Sequence, residues 1–391
     1  MENPVFVTDV GYTKVGDHWE SSISELAFKS SQKILRKISV PPESVIVANA
    51  VAGLSSSQQN LGPQIANALQ LEGVSAFSVE AAGASGGAAI FTAANLIKSG
   101  EFKSVLVIGV EKMRDLDPAK VTTAQGLSEN AEYSQFFGLS FASINALIAR
   151  IYMRENNVKR EELSSFPVVA HHNSSTADHA QFRKKFTVDE VARSEIVSEP
   201  LRVLDCPPVG DGSASTLLVN GAELSKEQKR ESVRLVASEN SSSIVNFFER
   251  ENLLRFVATE LAAAKAMKKG GIDRDDIDFF EIHDSYSIFA ALSVEGLGLS
   301  KPGRACEDAT SGKFSLSGKY PISTFGGMKA RGYPIGAAGV YQLCETFLQL
   351  TGQAKSNQVP KASRGLIQNI SGVDGSSFVH ILESGNGSLE S

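Results

Sequence analysis

The sequence predicts an α/β protein made of two similar halves, each a set of βαβ units with helices covering a sheet. Three observations carry that expectation. Short β-rich runs alternate with helical stretches through the first hundred residues, the alternation then stops for almost a hundred residues, and a second series of the same kind completes the chain. Val5–Val10, Val45–Ala50, Ala76–Glu80 and Val105–Val110 read as strands, and Ile23–Lys37, Leu61–Leu71 and Ala84–Lys98 as the helices between them. Val105-Leu-Val-Ile-Gly-Val110 is nearly all apolar, as a strand buried on both faces should be. Residues 113–208 break the pattern and are expected to fold as an insertion over the sheet, because an unstructured loop of that length would be uncommon. Ser213–Asn220 returns to strand, and the charged run Glu223–Glu231 marks a junction. Beyond it Val233–Ser238, Asp278–Ile282, Gly365–Ile370 and Ser377–Leu382 read as strands, with Ala258–Lys268, Ser287–Leu297 and Gly336–Leu350 as helices. The expected division is residues 1–225 and 226–391, an internal duplication in element order although not in letters. Ligands of such paired α/β halves usually bind where strand ends and helix N-termini meet between them.

Composition narrows the function classes. Of 391 residues 42% are hydrophobic and 21% charged, enough apolar surface to exclude disorder as the main state. Lys and Arg number 38 against 44 Asp and Glu, so there is no broad basic field for nucleic acid. No apolar run reaches the roughly 18 residues of a membrane helix. The opening MENPVFVTDV lacks the basic region of a secretory signal, which makes the cytoplasm the expected location. Three cysteines form neither a disulfide framework nor a zinc pair, and the adjacent His171 and His172 lack metal-ligand spacing, so no metal is expected.

Four segments stand out: Val79-Glu-Ala-Ala-Gly83-Ala-Ser-Gly-Gly-Ala88, Glu281-Ile-His283-Asp284-Ser-Tyr286, the run Gly326 to Gly339 with Lys329, Arg331 and Tyr333, and Gln368-Asn-Ile-Ser-Gly372-Val-Asp-Gly375. Supported by Gly109-Val-Glu-Lys-Met113, Ala180-Gln-Phe-Arg-Lys184 and Leu204–Gly212, they resemble the thiolase superfamily, particularly its sterol-carrier-type and archaeal branches. The resemblance runs in order along nearly the whole chain. It implies the thiolase-like fold, two βαβ halves forming a layered α/β/α/β/α core with a large insertion in the N-terminal half.

The departures bear on chemistry. Thiolases place a nucleophilic Cys where this chain has Gly83, at a helix N-terminus that favours thiolate. They carry a Gly-His-Pro His where this chain has Tyr333. Glycine cannot form an acyl-enzyme. His283 matches the family's oxyanion-hole His, whose N–H meets the thioester carbonyl oxygen. Asp284 beside it is a candidate to orient the ring, although successive strand residues point to opposite faces. Tyr333 reads either as an aromatic filling the space of a lost His or as a proton-transfer group. An ordinary phenol titrates near ~10, so a base role needs cations such as Lys329 or Arg331 to face it. Gly83 and Gly372 are the expected sources of further oxyanion N–H groups. Cys206 and Cys344 read as buried small hydrophobes, and Cys306, in a loop, as the one substitute nucleophile. Ser285 has no evident base, and Tyr286 reads as packing.

This pattern resembles the steroid side-chain aldolases, thiolase relatives without the Cys that cleave a β-hydroxyacyl-CoA by retro-aldol reaction; they are expected to carry Tyr where this chain keeps His283. The resemblance implies an acyl-CoA ligand with coenzyme A as substrate carrier and no tightly bound cofactor. It also implies a homodimer or dimer of dimers, and a small OB-fold/zinc-ribbon partner. Arg183 and Lys184 are candidates for the carrier's phosphates, or an ordinary solvated charge run, and Gly326 and Gly327 are candidates for close ligand approach. Three functions remain open: a carbon–carbon lyase using Tyr333 and His283, a thiolase-type acyltransferase, and a non-catalytic subunit of a complex.

Overall fold

The computed structural model describes residues 3–385. Its strands are β1 (Val5–Tyr12), β2 (Ser44–Ala48), β3 (Ser75–Val79), β4 (Ser104–Glu111), β5 (Ile196–Ser198), β6 (Leu201–Arg202), β7 (Gly212–Asn220), β8 (Val233–Ser242), β9 (Phe279–Glu281), β10 (Arg364–Ser371) and β11 (Ser376–Ser384). All but the β5–β6 hairpin join one nine-stranded sheet in the order β3-β2-β4-β7-β1-β8-β11-β10-β9. The duplication lies in that order. Outward from the antiparallel β1–β8 seam, one half runs first strand, last strand, then β4 and β2, while the other runs β8, β11, β10 and β9. A lone parallel bridge between Phe280 and Ile322 stands where β3 stands in the first half.

The expected parallel pairing holds for β3-β2-β4 and for β9–β10, but the last strand of each half is antiparallel to both of its neighbours. The reason is plain for β10 and β11. A four-residue turn at 372–375 joins them, and so short a connection cannot cross over to a parallel partner. β4 is buried along its whole length, as its apolar run implied.

Local sequence explains the helices. Ile23–Lys37 opens on a Ser22–Glu25 capping box, closes with Arg36 and Lys37, and buries Ile23, Leu26, Ala27 and Ile34 along one stripe. It and Leu61–Ala68 cover the N-terminal half, while Val257–Gly270 packs on β8 and β11. Between the halves lie Ser85–Lys98 and Ala338–Leu350, each entered through a 3-10 turn and each touching strands of both halves. Glycine lets these two helices meet. A Cβ on Gly86 would lie 2.8 Å from the Cα of Gly339. The insertion folds mainly as helices, the longest being Phe141–Asn156. Among the described residues no helix is long and apolar enough to cross a membrane.

Gly86→Ala therefore forces two helices apart and is expected to cost about 1–3 kcal/mol in urea unfolding. Gly53→Ala, whose new methyl meets open space inside a helix, should instead raise stability by about 0.5–1 kcal/mol in the same assay.

Candidate active site

Gly83, His283, Tyr333 and Gly372, far apart in sequence, line one narrow cavity of about 40 Å³ between the halves. Each arrives from a different element. Gly83 lies in the 3-10 turn Ala82–Ala84 after β3, and His283 follows β9. Tyr333 sits between the turn Gly327–Arg331 and the 3-10 turn Ile335–Ala337, and Gly372, at φ +55°, sits in the β10–β11 turn.

The imidazole is locked by main chain. The Ile370 N–H donates to Nδ1 of His283 at 3.1 Å, and the His283 N–H donates to Oε1 of Gln368 at 3.0 Å. An amide N–H can only donate, so Nδ1 is bare and the proton of the neutral ring sits on Nε2. Burial, with the Arg331 charge adding to it, pushes His283 down to about 3, so the ring is neutral at physiological pH. Nε2 lies 3.3 Å from the Tyr333 hydroxyl, with the rings edge to face. The N–H therefore donates to the phenol oxygen and leaves the phenolic proton free for a substrate.

Tyr333 is a proton donor in this state. Burial raises its pKa well above the ordinary phenol value, and the Glu111 carboxylate raises it further. Neither candidate cation offsets this. Arg331 is fully buried against the Tyr341 ring, 4.9 Å from its centroid, and 3.4 Å from Oε1 of Glu345. Lys329 reaches the carbonyl of Cys206. Position 83 explains the glycine: a Cβ there would lie 2.6 Å from the Tyr333 hydroxyl and 3.3 Å from Cε1 of His283. The phenol fills the space above Gly83.

The other expectations fare differently. Gly326 and Gly327 have positive φ, and neither lines the narrow cavity. A Cβ on Gly326 would meet Ser174 at 2.5 Å, and one on Gly327 would strike the Asp284 carboxylate. Glycine is required there because Asp284 folds inward to accept the Met328 N–H at 2.7 Å, so its carboxylate holds the turn rather than the His283 ring. Arg183 and Lys184 are exposed: Arg183 lies 3.7 Å from Asp178, and Lys184 rests over the Phe186 ring. No cysteine lines the narrow cavity. Cys306 is buried in the helix Ala305–Thr310 rather than in a loop, its thiol pushed up to about 12 by burial, and Cys344 is buried too. Cys206 is only half-buried and faces the outer space, with its thiol pushed up to about 11 by burial. Tyr286 packs edge-on to Phe141 and also touches the narrow cavity.

Glu111 is the residue that motif reading passed over. Its carboxylate, buried at the end of β4, accepts the N–H groups of Ala50 and Gly336 at 2.9 Å and Nδ2 of Asn49 at 2.8 Å. It thus pins the turn that presents Tyr333, and burial pushes it up to about 7. A charged residue closing an otherwise apolar strand was the signal available.

Two larger spaces adjoin the narrow one. A cavity of about 360 Å³ shares Gln125, Phe141, Pro207 and Tyr286 with it, and a cavity of about 800 Å³ shares Arg114, Val197, Cys206, Pro207 and Val209 with that second space. The narrow cavity and the two larger ones thus share walls in series.

Comparison with known proteins gives a consistent picture. Residues 5–222 match the family model described as thiolase, N-terminal domain, and residues 240–384 that of the thiolase C-terminal domain-like family. The chain is 35% identical to an acetyl-CoA acetyltransferase of Methanothermobacter thermautotrophicus, over 96% of this chain and 98% of that one. It is 30% identical to sterol carrier protein 2 of Gallus gallus, over 95% of this chain and 70% of the relative. Among solved structures, an aldolase described as Ltp2-ChsH2(DUF35) superposes with a TM-score of 0.84 at 19% identity, covering 98% of both chains. The acetyl-CoA acetyltransferase of Syntrophomonas wolfei gives 0.72 at 15%, covering 98% of this chain and all of that one. These two likenesses speak for the fold.

Two outcomes test the site geometry. Nitrogen-15 NMR of the His283 ring should show one protonated and one bare nitrogen, with the proton on Nε2 and no titration from pH 8 to 5. In a double-mutant cycle, Gly83→Ala should cost about 1 kcal/mol less in the Tyr333→Phe background than in the parent, as urea unfolding would measure.

Proposed function

The chain belongs to the thiolase family, and we propose that it acts on an acyl thioester of coenzyme A by making or breaking a carbon–carbon bond of retro-aldol type, with no acyl-enzyme. One observation carries this reading: the Tyr333 phenol occupies the space above Gly83 where a nucleophilic side chain would stand, in contact with the neutral His283. In cleavage the β-hydroxyl loses its proton, the Cα–Cβ bond breaks to release an aldehyde or ketone, and the electron pair passes to the thioester carbonyl as an enolate. With substrate bound the Nε2–H of His283 turns from the phenol oxygen to that enolate oxygen, and the first-turn N–H of Gly83 and the N–H of Gly372 line the same cavity. Tyr333, held as a phenol, acts as a proton relay: on cleavage its oxygen takes the β-hydroxyl proton as its own proton passes to Cα of the enolate, giving the acyl-CoA, and on bond formation both transfers run in reverse. Coenzyme A as carrier, a homodimer or dimer of dimers, and a small OB-fold/zinc-ribbon partner belong to this reading. The two-component description of the aldolase neighbour supports the last.

The 35% identity to an acetyltransferase favours a second reading, acyl transfer. That reaction needs a thiolate where this chain has Gly83, and no cysteine lines the cavity.

Incubation with a panel of β-hydroxyacyl-CoAs should release aldehyde or ketone and an acyl-CoA. Tyr333→Phe should slow release about 10²–10⁴-fold, and His283→Ala about 10²–10³-fold. Intact-mass spectrometry after exposure to acetoacetyl-CoA should show no added acetyl group; an acetylated protein favours acyl transfer instead. Wild type and Tyr333→Phe equally inert across the panel, with a co-encoded partner present, would leave a non-catalytic subunit.

A further inference from the structure

The larger of the two outer cavities contains a buried ammonium that forms no ion pair. Lys329 is 3% exposed and lines the 800 Å³ space, and its Nζ donates to the carbonyl oxygen of Cys206. Among the described residues no carboxylate lies within ion-pair distance of it. The two carboxylates whose fields reach it are engaged elsewhere: Asp205 with Arg160 and the Ser287 hydroxyl, and Asp284 with the Met328 N–H. Burial lowers the ammonium to about 8, which still leaves it charged at pH 7. An unpaired ammonium at such depth is costly unless an anion comes to it.

A second polar group faces the same space. His171 is 2% exposed, and its Nδ1 is buried without a hydrogen-bond partner. Burial holds this ring neutral, and its N–H is taken by the Lys184 carbonyl, so Nδ1 is a bare acceptor and not a donor to an anion. Phe182, Phe186, Leu204 and Val209 line the same cavity, together with the polar Lys14, Asp17, His18 and Arg114. A cavity that combines these apolar side chains with a buried ammonium suits a chain that ends in an anion.

We propose that Lys329 is the cation of a subsite for an anionic oxygen group, met by a carboxylate at the far end of the substrate's acyl chain. The subsite itself rests on cavity and charge alone; assigning it to the acyl chain rests on the acyl-thioester reading above. A carrier phosphate has the same chemistry; the exposed Lys14 and the partly exposed Arg114 of this cavity are the cations open to a hydrated phosphate, and the depth of Lys329 favours the acyl end.

The test uses the full-length chain and ligands that undergo no carbon–carbon cleavage. By calorimetry, octanoate should bind saturably and at least tenfold more tightly than the uncharged octanamide. Lys329→Met should erase that difference, Lys329→Arg should retain most of it, and coenzyme A affinity should be unchanged in both. If Lys329→Met weakens coenzyme A tenfold as well, the anion subsite stands and its occupant is the carrier's phosphate. Equal binding of octanoate and octanamide by the unaltered protein overturns the proposal, whether or not the variants fold. Retained octanoate preference without carbon–carbon cleavage of any thioester would remove the lyase reading and leave the subsite standing.

Discussion

The contact between the Tyr333 hydroxyl and Nε2 of His283 depends on the absence of a side chain at residue 83, and much of the surrounding structure holds that arrangement. The Ile370 N–H fixes the imidazole tautomer, while Glu111 gathers the N–H groups of Ala50 and Gly336 and so fixes the turn that carries the phenol. Behind them, Asp284 draws the chain at Gly327 and Met328 inward, which only glycine permits. These are buried, directional bonds between main chain and side chain, the kind that hold a geometry because leaving one unmade is costly.

Burial sets the electrostatics as well as the positions. His283 is driven to its neutral form and Tyr333 away from phenolate by the same loss of water, so the pair presents one N–H and one O–H rather than a charged acid and base. A site of that kind is suited to oxygen atoms on which negative charge develops, since neither group starts with a charge that must be neutralised first.

Much of this was legible in the sequence, and the parts that were not share a physical cause. Ile23–Lys37 announces itself by its cap and stripe, and the strand at Val105–Val110 by its solid apolar run, because local signals determine them. Convergence of Gly83, His283, Tyr333 and Gly372 followed from motif order along the chain. The antiparallel return of β7 and β11 did not, since pairing direction depends on what the connecting segment does in space. Gly326 and Gly327 illustrate the same limit. Their need for positive φ was readable, but whether a ligand or Asp284 crowds them is a fact about distant neighbours. Glu111 and Lys329 were seen as letters; their significance lies in being buried, which no spacing rule reports.

The crowding above residue 83 also ties one half of the chain to the other. Position 83 belongs to one half of the duplicated sheet and position 333 to the other, yet a methyl on the first and a hydroxyl on the second contend for one small volume. Residue 83 must therefore stay without a side chain for as long as residue 333 carries its hydroxyl, and the Ile370 carbonyl oxygen, 2.8 Å from the same methyl position, closes the other direction of escape.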